Sequence, residues 1–185
     1  MSHAADQPAP SSAATEAVRR RLRLAAITID VTDPGSRPAR WCLAEYAEEI
    51  SRRFPGGFDP TALVPPADVA GPGGAFLIAR ELDRPVGCGA VRTLAAGVGE
   101  IRHLWVHASV RRLGLGRRLL GALEAQAAVR NLGVIRLDTH EVLTEAISMY
   151  LASGYREIPA YNDNPYAHHW LEKEFPAAFK TASDG

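Results

Sequence analysis

The chain has no surplus of charge: 21 basic side chains meet 21 acidic ones, so the formal net charge of its 185 residues is zero. That excludes a protein built to coat nucleic acid or an anionic membrane and leaves room only for local basic patches. No apolar run approaches the roughly 20 residues needed to span a bilayer. The start, MSHAADQPAPSSAATEA, has no apolar signal-peptide core, so a cytoplasmic protein is expected. Cysteine is scarce. Cys42 and Cys88 lie far apart without metal-ligand spacing, which predicts two buried reduced thiols and no metal site. Internal repeats and a second composition regime are also missing, so one domain is expected.

What is present alternates between strand and helix signals. The Ala, Pro, Ser and polar content of the start predicts a disordered tail, plainest to about Thr15 and placed over residues 1–19. The domain then runs over 20–178, with a short tail at 179–185. LRLAAITIDV (22–31) carries β-branched residues in loose alternation and reads as a strand. After the turn cluster DPGSRP, the residues Trp41, Leu43, Tyr46, Ala47 and Ile50 recur as one face of a helix. Residues 55–74, rich in Pro and Gly, predict a long irregular loop of the kind that is usually functional or mobile. A hairpin follows, turning at Asp83-Arg84-Pro85, and EIRHLWV (100–106) adds a strand. A helix from Gly114 to Asn131 buries Leu119, Leu120, Leu123 and Ala127, with Gly133 as its stop. VIRLDTH is a strand, and TEAISMYLASG a short helix capped by Thr144 and stopped at Gly154. YREIPAY and HHWLEKEF close the chain as two strands around a polar-aromatic loop. This order is that of a single mixed α/β (α+β) domain.

The stretch RRLGLGRRLLGALEAQ, from Arg111, lies between a strand and a helix. Such a unit points the free N–H groups of the first helical turn into a concavity, where the helix dipole favours an anion. Glycines without Cβ let phosphate oxygens approach, and the flanking arginines add positive charge. The plain alternative is a tight strand–helix turn with solvated arginines. A P-loop needs GxxxxGK[ST], and no Lys-Ser/Thr follows Gly116. A dinucleotide fingerprint needs a third glycine where this chain has Leu119.

Arg-x-x-Gly-x-Gly at 111–116, after LWV and opening an apolar helix, resembles motif A of the GCN5-related N-acetyltransferases (GNAT). EAISMYLASGYRE resembles that family's second signature, a short helix ending in Gly-aromatic, and the likeness covers roughly residues 76–175. It implies a GNAT-like domain: a mixed, mostly antiparallel sheet flanked by helices, with a splayed parallel strand pair holding acetyl-CoA. The implied cofactor contacts are the main chain of Leu104, Trp105 and Val106 along the pantetheine, and the N–H groups of Arg111, Arg112, Leu113, Gly114, Leu115, Gly116 and Arg117 around the pyrophosphate. Arg112, Arg117 or Arg118 would meet the ribose phosphate.

Tyr150 takes the place of the family's tyrosine acid, which protonates the departing thiolate. Its alternative is a core tyrosine sharing a helical face with Ile147 and Leu151. Glu100, at the start of the motif-A strand, takes the place of a glutamate base; a solvated strand-end Glu, or a water chain as base, is the alternative. His103 has the opposite strand parity from Glu100 and ranks lower, and His107 reads as a surface residue. Leu143 stands where many members carry an Asn, so a side-chain bond to the cofactor is missing there.

The loop residues Tyr161, Asn162, Asp163, Asn164, Tyr166 and His168 would wall the acceptor site, or else form an Asn-Pro turn with a satisfied His pair. His168 and His169 would face opposite ways along a strand. The expected function is acetyl transfer from acetyl-CoA to a primary amine of a small molecule, by direct attack on the thioester. The alternatives are a protein-lysine or N-terminal acetyltransferase, or an acyl-CoA-binding module without productive chemistry. No nucleic acid or membrane partner is expected, and a homodimer is open by analogy.

Overall fold

Leucines at helical spacing and β-branched residues in short runs commit the chain to two helices clamping one sheet from opposite faces. The structure, a computed structural model, describes residues 12–175. In chain order the elements are α1 (Ser12–Ala26), β1 (Ile27–Val31), α2 (Arg37–Arg53), β2 (Gly74–Glu81), β3 (Arg84–Ala95), β4 (Val98–Val106), α3 (Leu115–Val129), β5 (Val134–Thr139), α4 (Thr144–Ala152), β6 (Arg156–Ile158) and β7 (His169–Glu174). The seven strands form one sheet in the order β1-β2-β3-β4-β5-β7-β6. Every neighbouring pair is antiparallel except β4–β5. This is the mixed, mostly antiparallel sheet that the GNAT resemblance implies.

On one face, α3 buries Leu115, Leu119, Leu120, Leu123 and Ala127 against Leu77, Val91, Ile101, Ile135 and Leu137. Each fully buried leucine stabilises the fold by about 1.5–3 kcal/mol, so this stripe dominates the local energetics. On the other face, α2 buries Ala39 and Cys42 beside Phe76, Ile78, Cys88 and Trp105. Both cysteines are buried free thiols, and burial raises the Cys88 thiol well above its ordinary range. Ser36, whose hydroxyl accepts from the Ala39 N–H, caps α2.

Several boundaries differ from the sequence reading, each for a local reason. Residues 12–26 are helical, where a tail to residue 19 and a strand from residue 22 are expected. AATEAVRRRLRLAA is rich in strong helix formers, and the β-branched run begins only at Ile27. Residues 1–11 and 176–185, including the expected tail over 179–185, lie outside the described residues. The hairpin turns at Leu82-Asp83, with Leu82 at φ 56, rather than at Asp83-Arg84-Pro85. Asn131, at φ 57, takes the left-handed position after α3 that Gly133 is expected to fill. Leu143, not Thr144, is the N-cap of α4 and makes no side-chain cap bond, whereas Gly154 ends α4 at φ 90 as predicted.

The feature that positions the site is a bulge in β4. Cys88 pairs with Trp105 and Ala90 with Arg102, so two residues, His103 and Leu104, oppose Gly89 alone. His103 sits at φ 55. The extra residue reverses alternation: Ile101 faces α3, yet Trp105, four positions on, faces α2. The β3 glycines make room for this. A Cβ on Gly87 would lie 2.8 Å from the Trp105 carbonyl oxygen and 3.1 Å from a Leu119 methyl. Gly87→Ala is therefore expected to destabilise the fold by about 1–3 kcal/mol. Urea denaturation should show this as a lower midpoint at unchanged slope.

Candidate active site

Parallel pairing of β4 with β5 covers only Val98↔Val134, Gly99↔Ile135 and Glu100↔Arg136. Beyond Glu100 the two strands part, and a cleft opens between them lined by Arg102, His103, Leu104, Asp138, Thr139 and His140. Arg102, paired with Ala90 of the α2-side core, and His103, whose ring lies 5.4 Å from that of Tyr46, both face α2, which a regular strand does not allow for neighbours. The bulge allows it, and it brings His103, ranked below Glu100 on strand parity, to the cleft that Glu100 does not line.

The His107 N–H donates to Val86 O at 2.9 Å, so alternation directs the main-chain groups of Leu104 and Val106 into the split and those of Trp105 toward β3. Of the three residues expected to offer backbone bonds, Trp105 is therefore turned away. Its indole instead donates to Glu49 Oε2 at 2.9 Å. Val106 O already accepts from Arg111 Nε at 2.9 Å, which leaves the Val106 N–H and the Leu104 groups.

At the mouth of the split, the N–H groups of Leu113, Gly114, Leu115, Gly116 and Arg117 have no acceptor among the described residues. Gly114 is the α3 N-cap at φ 96 and offers no side-chain cap. Five successive free amides on an exposed turn at a helix N-terminus fit a pyrophosphate. The two glycines have distinct reasons. Gly114 is required by its left-handed backbone, while a Cβ on Gly116 would meet Met149 Sδ of α4 at 3.1 Å.

The arginines divide as well. Arg111 pairs with Glu49, and the Arg118 guanidinium donates to Leu24 O of α1 at 2.7 Å. Arg20 of α1 donates to the Arg112 carbonyl. Arg118 is thus occupied in docking α1, which leaves the Arg112 and Arg117 side chains for phosphate.

Tyr150 lines the cleft from α4 and is 6% exposed, with its ring 5.8 Å from that of Tyr155. Burial, reinforced by Tyr46 and Asp138, raises its phenol above the ordinary range, so it stays protonated at neutral pH. Leu151, its expected helical companion, is exposed.

Glu100 does not reach the cleft. It is 1% exposed, its Oε2 accepts from Arg92 Nε at 2.7 Å and its Oε1 from the Tyr161 hydroxyl at 2.9 Å. A carboxylate neutralised and bonded on both oxygens is poorly placed to take an amine proton. The base role expected of it does not match its position.

The acidic group in the cleft is Asp138, whose Oδ1 accepts from Asn164 at 2.7 Å and whose Oδ2 accepts from Arg102 at 2.8 Å and Asn162 at 2.7 Å. Sequence reasoning singled out the two asparagines but missed Asp138 and Arg102, which carry no motif. His140 also lines the cleft. Its Nδ1 accepts from the Val142 N–H at 3.2 Å, and burial followed by His168 lowers its pKa, so it is neutral at pH 7.

Two loops wall the far end. The Asp59 N–H donates to the Tyr166 hydroxyl at 3.0 Å and the Phe58 and Tyr166 rings lie 4.9 Å apart, which latches residues 55–74 to the β6–β7 loop. The His168 and His140 rings lie 4.3 Å apart, whereas His169 pairs with Glu157. His107 caps a short turn by accepting from the Ser109 N–H.

A sheet split at its one parallel pair, with an amide cradle at the split, defines an acyl-CoA-dependent acyltransferase of the GNAT fold. Residues 43–155 match the model of the Acetyltransferase (GNAT) family, and the chain belongs to that family. It is an acyltransferase with acetyl-CoA as donor. An Azospirillum brasilense protein described as an IAA acetyltransferase is 29% identical over 132 residues, covering 69% of this chain and 86% of that protein. A GNAT-family acetyltransferase from Staphylococcus aureus Mu50 superposes with a TM-score of 0.70 at 19% identity, over 80% of this chain and 99% of that one. The PaiA N-acetyltransferase of Thermoplasma acidophilum, solved with coenzyme A, superposes with a TM-score of 0.63 at 16% identity, over 80% and 99% of the two chains.

Two outcomes are expected from these placements. Glu100→Gln should leave the pH–rate profile in place while lowering stability by about 1–3 kcal/mol, because Arg92 and Tyr161 lose a buried charged acceptor. Chemical denaturation and rate profiles check the two halves separately. Gly114→Val puts a branched residue at φ 96 in the cradle. The variant should lose most of the thermal stabilisation that acetyl-CoA gives the parent.

Proposed function

We propose that the protein transfers an acetyl group from acetyl-CoA to a primary amine of a small molecule. The observation that carries this reading is continuity. The α3 turn lies against the end of β4 and α4, where a Cβ on Gly116 would meet Met149 Sδ at 3.1 Å and Val106 at 3.8 Å, and the next residue of α4, Tyr150, lines the slot that two latched loops close. Closure at that end favours a compact acceptor over a polypeptide lying in an open groove.

Acetyl-CoA supplies a thioester whose acyl carbon is open to a neutral amine. The chain's share begins with binding: the amides of residues 113–117 hold the pyrophosphate, with Arg112 and Arg117 beside it, and the Leu104 and Val106 main chain aligns the pantetheine as an added strand would. As the new C–N bond forms and the C–S bond breaks, negative charge grows on sulfur. The Tyr150 phenol, kept protonated by burial, donates its proton there and recovers it from solvent. The ammonium proton leaves through water in the cleft, since Glu100 is buried off it and Asp138 is paired with Arg102 and accepts two further hydrogen bonds. With Nδ1 accepting from Val142, neutral His140 carries its proton on Nε2 and acts as a donor in the slot.

Tyr150→Phe tests this assignment. The ring stays packed against Tyr155, so folding and acetyl-CoA affinity should hold. An interaction that strengthens only as thiolate charge develops is lost, so kcat should fall by roughly 10²-fold, the low end for general acids, a thiolate being a fair leaving group unaided. A kcat within about threefold of the parent, measured where chemistry limits turnover, would exclude the acid role.

A further inference from the structure

The acceptor end of the cleft is built from rings. Tyr46, Phe54, Phe58, His140 and Tyr166 line it. Phe54 stacks on His140 with centroids 4.1 Å apart, and Phe58 lies 6.1 Å from Phe54 and 6.4 Å from Tyr46. Aromatic walls of this kind favour a planar guest, which meets them by offset stacking or edge-to-face contact.

The charged groups among those rings are already paired with each other. Arg102 and Asp138 neutralise each other at 2.8 Å, with side chains only 16% and 5% exposed, and Asn162 and Asn164 each donate a further hydrogen bond to Asp138. A second cationic centre on the acceptor would compete with Arg102 for Asp138. A carboxylate would compete with Asp138 for Arg102. Either works against a shielded ion pair that is already satisfied. The other titratable groups facing the slot are uncharged at neutral pH: burial pushes Tyr46 up to about 12, and His103, bonded through Nε2 to the Val64 N–H at 3.1 Å, down to about 3.

Resting on the reading of this slot as the acceptor site, we propose that the acceptor is an arylalkylamine: one primary amine on a short neutral linker to an aromatic ring, with no carboxylate and no second cation. The ring sits among Phe54, Phe58 and Tyr166, and the amine reaches back toward Tyr150. The amine nitrogen bonds to the acetyl carbon, sulfur leaves with the Tyr150 proton, and the proton lost from nitrogen passes to water.

The full chain, with acetyl-CoA, should be offered phenethylamine, phenylalanine and spermidine while thiol release is followed. Phenylalanine adds only a carboxylate to the same ring and linker, and spermidine replaces the ring by further cations. The kcat/KM for phenethylamine should exceed both by at least about tenfold. Calorimetry on protein saturated with coenzyme A should show phenethylamine binding and the other two not. Phe58→Ala, on a half-exposed loop, should cut phenethylamine kcat/KM by about tenfold while acetyl-CoA affinity holds. Tyr166→Phe keeps the ring and should keep the preference. Turnover without aromatic preference, or an equal loss for all three amines in Phe58→Ala, overturns the acceptor class and leaves the acetyltransferase reading standing. Bound acetyl-CoA with no amine acetylated overturns both.

Discussion

The site exists because two parallel strands stop pairing after three residues. A β-strand that continued past Glu100 in register with β5 would spend its main-chain groups on its neighbour. The bulge opposite Gly89 prevents this by turning β4 away, and it supplies both halves of the site at once. It frees the Leu104 and Val106 main chain on the donor side. It also swings Arg102 and His103 onto one face on the acceptor side. The glycines of β3 are the complement of that distortion: a Cβ on Gly89 would lie 2.7 Å from a Leu123 methyl and 3.3 Å from one of Leu104. Helix, bulge and neighbouring strand therefore fit only one another.

Strands that no longer share hydrogen bonds need another tie, and side chains provide it. At the apex, Glu100 joins Arg92 of β3 to Tyr161 of the β6–β7 loop. Further out, Arg102 of β4 reaches across the opening to Asp138 of β5. Asn162 bonds both Asp138 and, through its Oδ1, the Trp170 indole at 2.8 Å, so the pair is fastened to the last strand of the fold. A shielded pair of this kind contributes little net stability, since desolvation offsets most of the attraction. Its value lies in geometry. It fixes the width of the split where backbone pairing cannot, and it makes the same groups unavailable as ligands for charge.

How much of this was legible in the sequence depends on the range of the interactions. The strand–glycine turn–helix unit, the leucine stripe of α3 and the stop at Gly154 are local, and they were read correctly from spacing and residue type. The start of the domain was misread because Leu22 and Leu24 mimic strand alternation. The surrounding Ala and Arg residues favour helix, and docking on the α3 turn, through Arg20 and Arg118, completes it. Glu100 was misjudged for a different reason. Its position in the strand matched the role, but its partners Arg92 and Tyr161 are 8 and 61 residues away, and only they decide that its oxygens are occupied. A bulge leaves no periodic signal at all: HLWV reads as an ordinary strand until Gly89 is placed opposite it.

The same limit accounts for the acceptor site. The proposed pyrophosphate cradle is written into the five contiguous residues 113–117, because backbone amides bind whatever side chains surround them, provided glycine permits the approach. An acceptor slot has no such economy. Its rings come from α2, the 55–74 loop, the end of β5 and the β6–β7 loop, and each alone reads as an ordinary core or loop aromatic. Chemistry common to a family concentrates in one local motif, whereas selectivity is distributed over elements that meet only after folding. In the proposed reading the donor side follows from the turn at 113–117, and the acceptor side from the Arg102–Asp138 pair, which takes charge out of the slot and leaves the rings to choose.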